Sequence, residues 1–203
     1  MELNKKYEKV AIVDLDIANP YFRSRERQQF MEEQGIKVYH NSFGFDITQD
    51  LPALSAAIKE PLENKEFQVV VDAGGDDSGA RVLNQFRKYF LDEDATLFFV
   101  VNGNRPETRT VEGALEHLRR IEDETGLEVG GLINNTHLLS ETTVKDVLKG
   151  HELCLQLSEK TGIPVVADFC YELFLDKDEQ GQLRTMDVTP IQLYLRPSWL
   201  QNT

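Results

Sequence analysis

The sequence predicts a doubly wound α/β fold, in which a mainly parallel sheet is covered by helices on both faces. Three observations support this fold class. Six short segments are rich in Val, Ile and Phe and apolar on both faces, which is typical of strands inside a parallel sheet. Segments with helical periodicity alternate with them along the chain. Glycines separate several of the helical segments from the strands that follow them, as helix C-terminal caps do.

The six predicted strands each end near Gly, Asn, Pro or Asp, which are residues typical of turns. They span residues 9–16, 36–41, 67–72, 96–102, 128–135 and 163–169. The predicted helices lie between them, at residues 20–34, 50–60, 78–91, 106–125 and 141–161. Because helices and strands alternate, each helix can serve as the crossover that parallel neighbouring strands require.

Local residue preferences set the expected helix ends. Pro20 and Pro106 stand where the first residue of a helix needs no N–H donor. Gly35, Gly126 and Gly162 each follow a helical segment just before a strand, where a left-handed cap favours glycine. Three of the five helices therefore have a predicted end with a physical cause.

The C-terminal segment has a different pattern from the rest of the chain. Residues 171–189 place Asp, Glu, Gln and Gly between two short apolar runs. This pattern favours a surface β-hairpin near residues 171–186. The sequence contains no internal repeat and no linker, so it predicts a single α/β domain over residues 1–203.

The composition is that of an ordinary globular protein. Hydrophobic residues make up 40% and charged residues 28% of the 203 positions, which excludes a collagenous, low-complexity or wholly disordered chain. The 22 Lys and Arg against 35 Asp and Glu leave a formal net charge of −13. Because no basic cluster occurs, we expect no direct nucleic-acid binding.

The N-terminus shows no recognisable targeting segment. The apolar stretch at residues 10–13 is far shorter than a signal peptide or a membrane span of about 20 residues. Cys154 and Cys170 form no CxxC pattern, so neither a zinc site nor a disulfide is predicted. We expect a cytoplasmic protein with no transmembrane segment and two reduced, buried thiols.

Polar residues follow four of the predicted strands. In an open parallel sheet, ligands bind beyond the carboxyl ends of the strands, so one rim of the sheet is the predicted site. The four motifs are Asp14-Leu15-Asp16, Asp72-Ala73-Gly74-Gly75, Asn102-Gly103-Asn104-Arg105 and Asn134-Asn135. Each motif alone also fits a structural role: helix capping for Asp-x-Asp, tight turns for the glycine and asparagine pairs, and a solvated side chain for Arg105.

Three of these motifs together resemble a known family. The segment VAIVDLDIANPYFRSRE is similar to the strand ending in an Asp-x-Asp switch in the MinD/ParA/NifH group of deviant P-loop ATPases. FQVVVDAGGDDSGA resembles the Walker B strand of that group, and VGGLINNT resembles a later strand that ends in an adenine-contacting Asn. The resemblance is to a CobQ/CobB/MinD/ParA nucleotide-binding domain, and it implies a P-loop NTPase-like fold with ATP and Mg²⁺ as ligands.

The resemblance also implies a role for individual residues. Asp16 corresponds to the aspartate that positions or activates the attacking water, and Asp14 to its partner nearer the strand. Asp72 corresponds to the residue that holds Mg²⁺ through water, Gly75 to the glycine whose N–H meets the terminal phosphate, and Asn134 to the residue that contacts adenine. These residue types suit phosphoryl transfer, which depends on positioning and charge neutralisation more than on covalent chemistry.

The phosphate-binding loop of that family does not occur in the sequence. No G-x-x-x-x-G-K followed by Ser or Thr is present in the 203 residues. The nine residues before Val10 cannot hold the strand, loop and helix of about 30 residues that carry it. By the resemblance, the absent strand is expected between the strands that end at Asp16 and Asp72.

Three explanations fit this absence: a truncated gene product, a start codon assigned too late, or a domain that has lost ATP binding. We favour truncation or a late start, because the resemblance is continuous along the rest of the chain. The chain alone, lacking the first strand, the P-loop and the first helix, is therefore expected to be inactive.

Three functions are consistent with these motifs. In complete form, a member of the family hydrolyses ATP and switches between a monomer and a homodimer that encloses the nucleotide. A pseudo-ATPase would keep the fold as an interaction module for an unknown protein partner. Against it, a site that no longer binds or hydrolyses ATP has no chemical need for Asp16, Asp72 and Asn134. VAIVDLD also resembles the nucleophile strand of haloacid dehalogenase-type phosphatases, but Ala18 stands where that family has Thr or Val.

Overall fold

A computed structural model of the chain describes residues 3–16, 27–40, 58–91, 94–175, 177–178 and 181–192. It forms two compact units, one of Met1–Tyr89 with Tyr194–Thr203 and the other of Phe90–Leu193. Each unit contains a sheet whose strands are all parallel and which helices flank. The prediction of a parallel α/β architecture is thus confirmed. The prediction that both units form one domain stays a prediction.

The first unit is built around a three-stranded sheet in the order β2-β1-β3. Its central strand β1 is apolar on both faces, and Ala11 and Val13 are fully buried. The strands are β1 (Val10–Asp14), β2 (Ile36–His40) and β3 (Gln68–Asp72). The helices are α1 (Gln28–Glu33), α2 (residues 58–63), α3 (Asp77–Ala80) and α4 (Arg87–Phe90), with 3₁₀ turns at Leu3–Lys5 and Arg81–Phe86.

The second unit is built around a four-stranded sheet in the order β4-β5-β6-β7. Helix α6 packs on β5 and β6, and α5 packs beside α6. The strands are β4 (Leu97–Val101), β5 (Val129–Asn134), β6 (Val165–Tyr171) and β7 (Thr189–Ile191). The helices are α5 (Val111–Thr125), α6 (Val144–Thr161), α7 (Glu172–Leu175) and α8 (Gln182–Thr185), with a 3₁₀ turn at Leu139–Glu141. Among the described residues, no helix combines the length and the apolar character that crossing a membrane requires.

The predicted helix C-termini are confirmed, whereas two predicted starts are wrong by several residues. Gly126 and Gly162 cap α5 and α6 in the left-handed conformation, with φ of 61° and 76°. Helix α5 begins after Thr110, whose side chain accepts the N–H of Gly113, so Pro106 lies in the preceding turns. Helix α6 begins after Thr143 rather than at residue 141. Side-chain caps, not the proline, decide these starts. Pro20 lies outside the described residues.

The predicted β-hairpin near residues 171–186 is wrong. This segment contains α7 and α8, and the strand β7 that follows pairs in parallel with β6. Buried Asp178 accepts the backbone N–H groups of Gln182 and Leu183 and thereby caps α8. Phe174 and Leu183 pack with Cys170 in a buried cluster. Phe174 and Leu183 therefore face a core from two short helices, and buried Asp178 is a cap rather than part of a surface turn.

Within the described residues of this chain, no strand lies between the Asp16 and Asp72 segments, where the resemblance places the absent strand. Strands β1 and β3 pair directly along their whole length, with Asp14 opposite Asp72. Immediately beyond this pair, the N–H of Leu15 donates to the carbonyl of Asp72 at 2.7 Å. No strand can be inserted between them without breaking this ladder.

Strands β3 and β4 are edge strands of their sheets within the described residues, and both leave apolar side chains exposed. In β4, Phe98 and Val100 are 46% and 54% exposed, while Phe99 and Val101, which alternate with them, are buried. In β3, Val70 is 41% exposed. Edge strands usually carry charged residues or proline that oppose association, and the sequence LFFVV of β4 has neither.

Candidate functional site

The carboxyl ends of β1 and β3 bring two predicted site residues together. Asp14 and Asp72 are the last residues of their strands and lie opposite each other in the register. Adjacent strands lie about 4.8 Å apart, so the two residues are next to each other on one edge of the first sheet. Asp14 is only 3% exposed.

Asp16 continues the same edge. Its backbone N–H donates to Oδ1 of Asp14 at 3.1 Å, so the buried carboxylate fixes the first turn after β1. The Asp16 carboxylate reaches the loop after β3, since its Oδ1 lies 3.3 Å from the position that a Cβ on Gly74 would take. Three of the predicted carboxylate residues thus meet at the ends of two neighbouring strands.

The loop after β3 depends on a glycine that the sequence analysis did not single out. A Cβ on Gly74 would lie 2.7 Å from Cα of Gly79, whereas a Cβ on Gly75 would meet nothing within 4 Å. Asp76 holds the loop by accepting the N–H of Gly79 at 2.6 Å as the N-cap of α3. Packing therefore requires Gly74. Nothing in the packing requires a glycine at position 75, so the phosphate contact predicted there stays a prediction.

The donor set suits a magnesium ion shared with a phosphate better than an all-protein metal cage. Within the described ranges, no group of three or more His, Cys, Asp or Glu side chains is placed to hold a metal ion. Magnesium is usually bound by one or two carboxylates, with phosphate oxygens and water as the other ligands. Asp72 fits such a role, which remains a prediction.

The charge at this edge does not suit a triphosphate. No Lys or Arg occurs in residues 10–16 or 72–80, whereas five aspartates do: Asp14, Asp16, Asp72, Asp76 and Asp77. A site that binds several phosphates normally supplies positive charge and a set of backbone N–H groups. The described residues at this edge thus supply carboxylates but no positive charge to balance a phosphate group.

The fifth predicted residue, Asn134, belongs to the second unit, so the prediction of one crevice for all five residues stays a prediction. Asn134 is fully buried at the end of β5. Its Nδ2 donates to Oδ1 of Asp168 at 2.7 Å and to the carbonyl of Val147 at 3.1 Å. Its Oδ1 accepts the N–H of Thr136 at 3.1 Å. Adenine could pair with this amide only by displacing these bonds.

The partner of Asn134 is a buried carboxylate that the sequence analysis missed. Asp168 lies in β6 and is 7% exposed. Its second oxygen lies 2.8 Å from Nδ1 of His151, so one carboxylate joins β5 to α6. Burial and the negative charge of Asp168 raise the pKa of the Cys154 thiol to about 12. An Asp inside an otherwise apolar strand was the available signal for this network.

Helix α6 approaches the end of β5 through a glycine. A Cβ on Gly150 would lie 2.5 Å from Cβ of Thr136 and would also collide with Oδ1 of Asn134. Small size at this position is what lets α6 lie over the strand end and reach the buried amide.

The loops after β4 and β5 are bound to each other. Nδ2 of Asn102 donates to the carbonyl of His137 at 3.2 Å, and its Oδ1 accepts the His137 N–H at 3.4 Å. The N–H of Gly103 donates to Oγ1 of Thr136 at 2.9 Å. Lys149 donates to the carbonyl of Gly103 at 2.9 Å. The strand-end asparagines therefore brace the carboxyl edge of the second sheet.

Comparison with known proteins adds no family assignment. No protein-family model matches the chain, and no curated protein sequence matches it. The function of the chain must therefore be inferred from its residues and their geometry.

Proposed function

We propose that the chain is a nucleotide-binding domain of the MinD/ParA/NifH type, with ATP·Mg²⁺ as the ligand. The observation that carries the proposal is the meeting of three predicted carboxylate residues at one edge of the first sheet. Asp14 lies opposite Asp72 in the register, and Asp16 lies beside the loop at Gly74. Two motifs that are 56 residues or more apart in the sequence thus meet at the sheet edge where ligands of parallel sheets bind.

Each residue has a chemical role in this proposal. Asp72 would hold Mg²⁺ through its water shell, and Asp16 would orient the water that attacks the terminal phosphate. Buried Asp14 fixes the turn that carries Asp16, and Gly75 allows close approach of the phosphate to the backbone. When bound, Mg²⁺ neutralises the charge that develops on the phosphate oxygens during transfer.

The lysine and the N–H cradle of a P-loop are not among these 203 residues. Catalysis and a nucleotide-enclosing homodimer would require a phosphate-binding segment in addition to the residues given. Each lost charge-assisted contact weakens binding by about 1.5 to 3 kcal/mol. The loss of two such contacts moves a micromolar dissociation constant to roughly the millimolar range.

A second candidate function is a non-hydrolysing scaffold that binds an unknown protein partner. The observation that favours it is the internal use of every polar atom of the Asn134 amide. These buried hydrogen bonds alone account for an Asn at position 134, so its presence does not require nucleotide binding.

Ligand-observed NMR at millimolar ATP, with and without Mg²⁺, tests the first candidate. We expect weak binding that depends on Mg²⁺, and the loss of that dependence in Asp72→Asn. The matched control is Asp123→Asn, which removes the same charge from an exposed position on α5. No Mg²⁺-dependent binding at about 10 mM ATP, far above the typical working range, would favour the scaffold. Equal Mg²⁺ dependence in Asp72→Asn would contradict the role of Asp72.

A further inference from the structure

The carboxyl edge of the second sheet carries a rigid pair of loops around His137. Asn102 bonds both the N–H and the carbonyl of His137, and Thr136 accepts the N–H of Gly103. The turn after β4 is closed by Arg105, whose N–H donates to the carbonyl of Asn102 at 3.0 Å. Side chains on these two loops are thus held in a fixed relation before any ligand arrives.

The loop after β5 also contains backbone strain. Leu139 adopts φ of 53°, a left-handed conformation that is rare for a bulky side chain. Thr142 maintains it by accepting the N–H of Leu138 at 2.8 Å and donating to the carbonyl of Leu139 at 2.7 Å. Strained conformations persist only where the surroundings hold them, and they cluster at ligand sites.

This strained turn orients the imidazole of His137. The N–H of Leu139 donates to Nδ1 of His137 at 3.3 Å, so Nδ1 is the acceptor and the neutral ring carries its proton on Nε2. Burial and the nearby charge of Arg105 lower the pKa of His137. The ring is therefore neutral near pH 7 and presents one N–H donor at Nε2, which forms no hydrogen bond within the described part of the chain.

Arg105 supplies a positive charge close enough to His137 to affect its ring. It is exposed on the turn after β4, and within the described residues its guanidinium forms no hydrogen bond and no ion pair. This is notable in a chain with 35 acidic residues against 22 basic ones. Lys149, on the same edge, is instead bound to the carbonyl of Gly103. Among the described residues, the guanidinium of Arg105 and Nε2 of His137 are thus two donors without acceptors on loops that are bound to each other.

We propose that Arg105 and His137 form a binding site for a phosphate group at the carboxyl ends of β4 and β5. The guanidinium would bind two phosphate oxygens in its planar fork, and Nε2–H of His137 would donate to a third. The site lies entirely in the second unit and uses none of the residues proposed for Mg²⁺, so it stands independently of the ATP proposal.

Histidine-detected NMR of the whole chain with inorganic phosphate, free of Mg²⁺, tests this site. The chain has four histidines, and His137→Asn identifies the resonance of interest. At pH 7.5 we expect a saturable shift of the His137 resonance with a millimolar dissociation constant. Arg105→Gln should weaken binding about tenfold or more, because a charge-assisted hydrogen-bond pair is lost.

Arg119→Gln is the matched control, since it removes the same charge from an exposed position on α5 and should leave phosphate binding unchanged. Acetate at the same concentration should cause a much smaller shift, since a carboxylate offers only two oxygens. ATP without Mg²⁺ distinguishes a nucleotide phosphate from the free ion. Asp72→Asn should keep phosphate binding, which separates this site from the proposed ATP site.

Three results would overturn the proposal. The first is a His137 resonance that does not shift with phosphate. The second is unchanged binding in Arg105→Gln, and the third is an equal loss in Arg119→Gln, which would indicate general charge attraction.

Discussion

Replacing Asn134 with Ala tests whether this residue primarily holds the second unit together. The change removes three hydrogen bonds: to Asp168, to the carbonyl of Val147 and from the N–H of Thr136. All three lie in a fully buried position, so water cannot replace them without entering the core. The Asp168 carboxylate also loses one of its two partners while it remains buried.

The size of the effect follows from these bonds. A hydrogen bond to a charged group contributes about 1.5 to 3 kcal/mol, and each neutral one about 1 kcal/mol. Asn134→Ala should therefore lower the free energy of unfolding by about 3 to 5 kcal/mol, since the three terms add only in part. This is a large share of the roughly 5 to 15 kcal/mol by which a typical domain is stable.

Urea unfolding followed by far-ultraviolet circular dichroism measures this loss. The adjacent Asn135 is a matched control, because its side chain forms no hydrogen bond among the described residues. Asn135→Ala should change the free energy of unfolding by about 0.5 kcal/mol or less. A loss below about 1 kcal/mol in Asn134→Ala, or equal losses in both variants, would refute the structural role.

Three further predictions concern the same unit. Gly150→Ala should destabilise the protein by about 1 to 3 kcal/mol through overpacking, although Gly→Ala within a helix usually stabilises. Thermal unfolding measures this loss, with Glu159→Ala as the control because residue 159 is exposed on α6. A higher melting temperature in Gly150→Ala would contradict the prediction. Thr143→Ala should cost about 1 kcal/mol by removing the cap of α6, and an unchanged urea midpoint would show that the capping box is dispensable. Burial raises the pKa of Cys170 to about 11 and that of Cys154 to about 12. The folded protein should therefore react slowly with a thiol reagent at pH 8, and the rate should rise roughly tenfold for each unit of increase in pH. Fast labelling of the folded protein at pH 8 would be inconsistent with these pKa values.

Hydrophobic patterning predicted most of the strands because each is apolar on both faces, as in LFFVV of β4 and VAIVD of β1. The segment at residues 172–185 was misjudged because its short helices depend on tertiary contacts. The cap by Asp178 and the packing of Phe174 on Cys170 become visible only when the chain is folded. Local patterns carry no information on such contacts.

The candidate site was predictable to the extent that it follows from strand direction. Parallel strands place Asp14 and Asp72 on the same edge, whatever their order in the sheet. The choice between Gly74 and Gly75 was not predictable, because it depends on how closely Gly79 approaches. The buried bonds of Asn134 were equally hidden, since its partner comes from a different strand.

Isothermal titration calorimetry of the 203-residue chain with ATP and Mg²⁺ is the most direct test of the central claim. The claim is that these residues hold the carboxylates of a nucleotide site but not its phosphate cradle. It predicts a dissociation constant in the millimolar range or weaker, and no measurable hydrolysis. A dissociation constant of about 10 μM or tighter would contradict it, because the aspartates at the ends of β1 and β3 could not hold a triphosphate that tightly without a lysine.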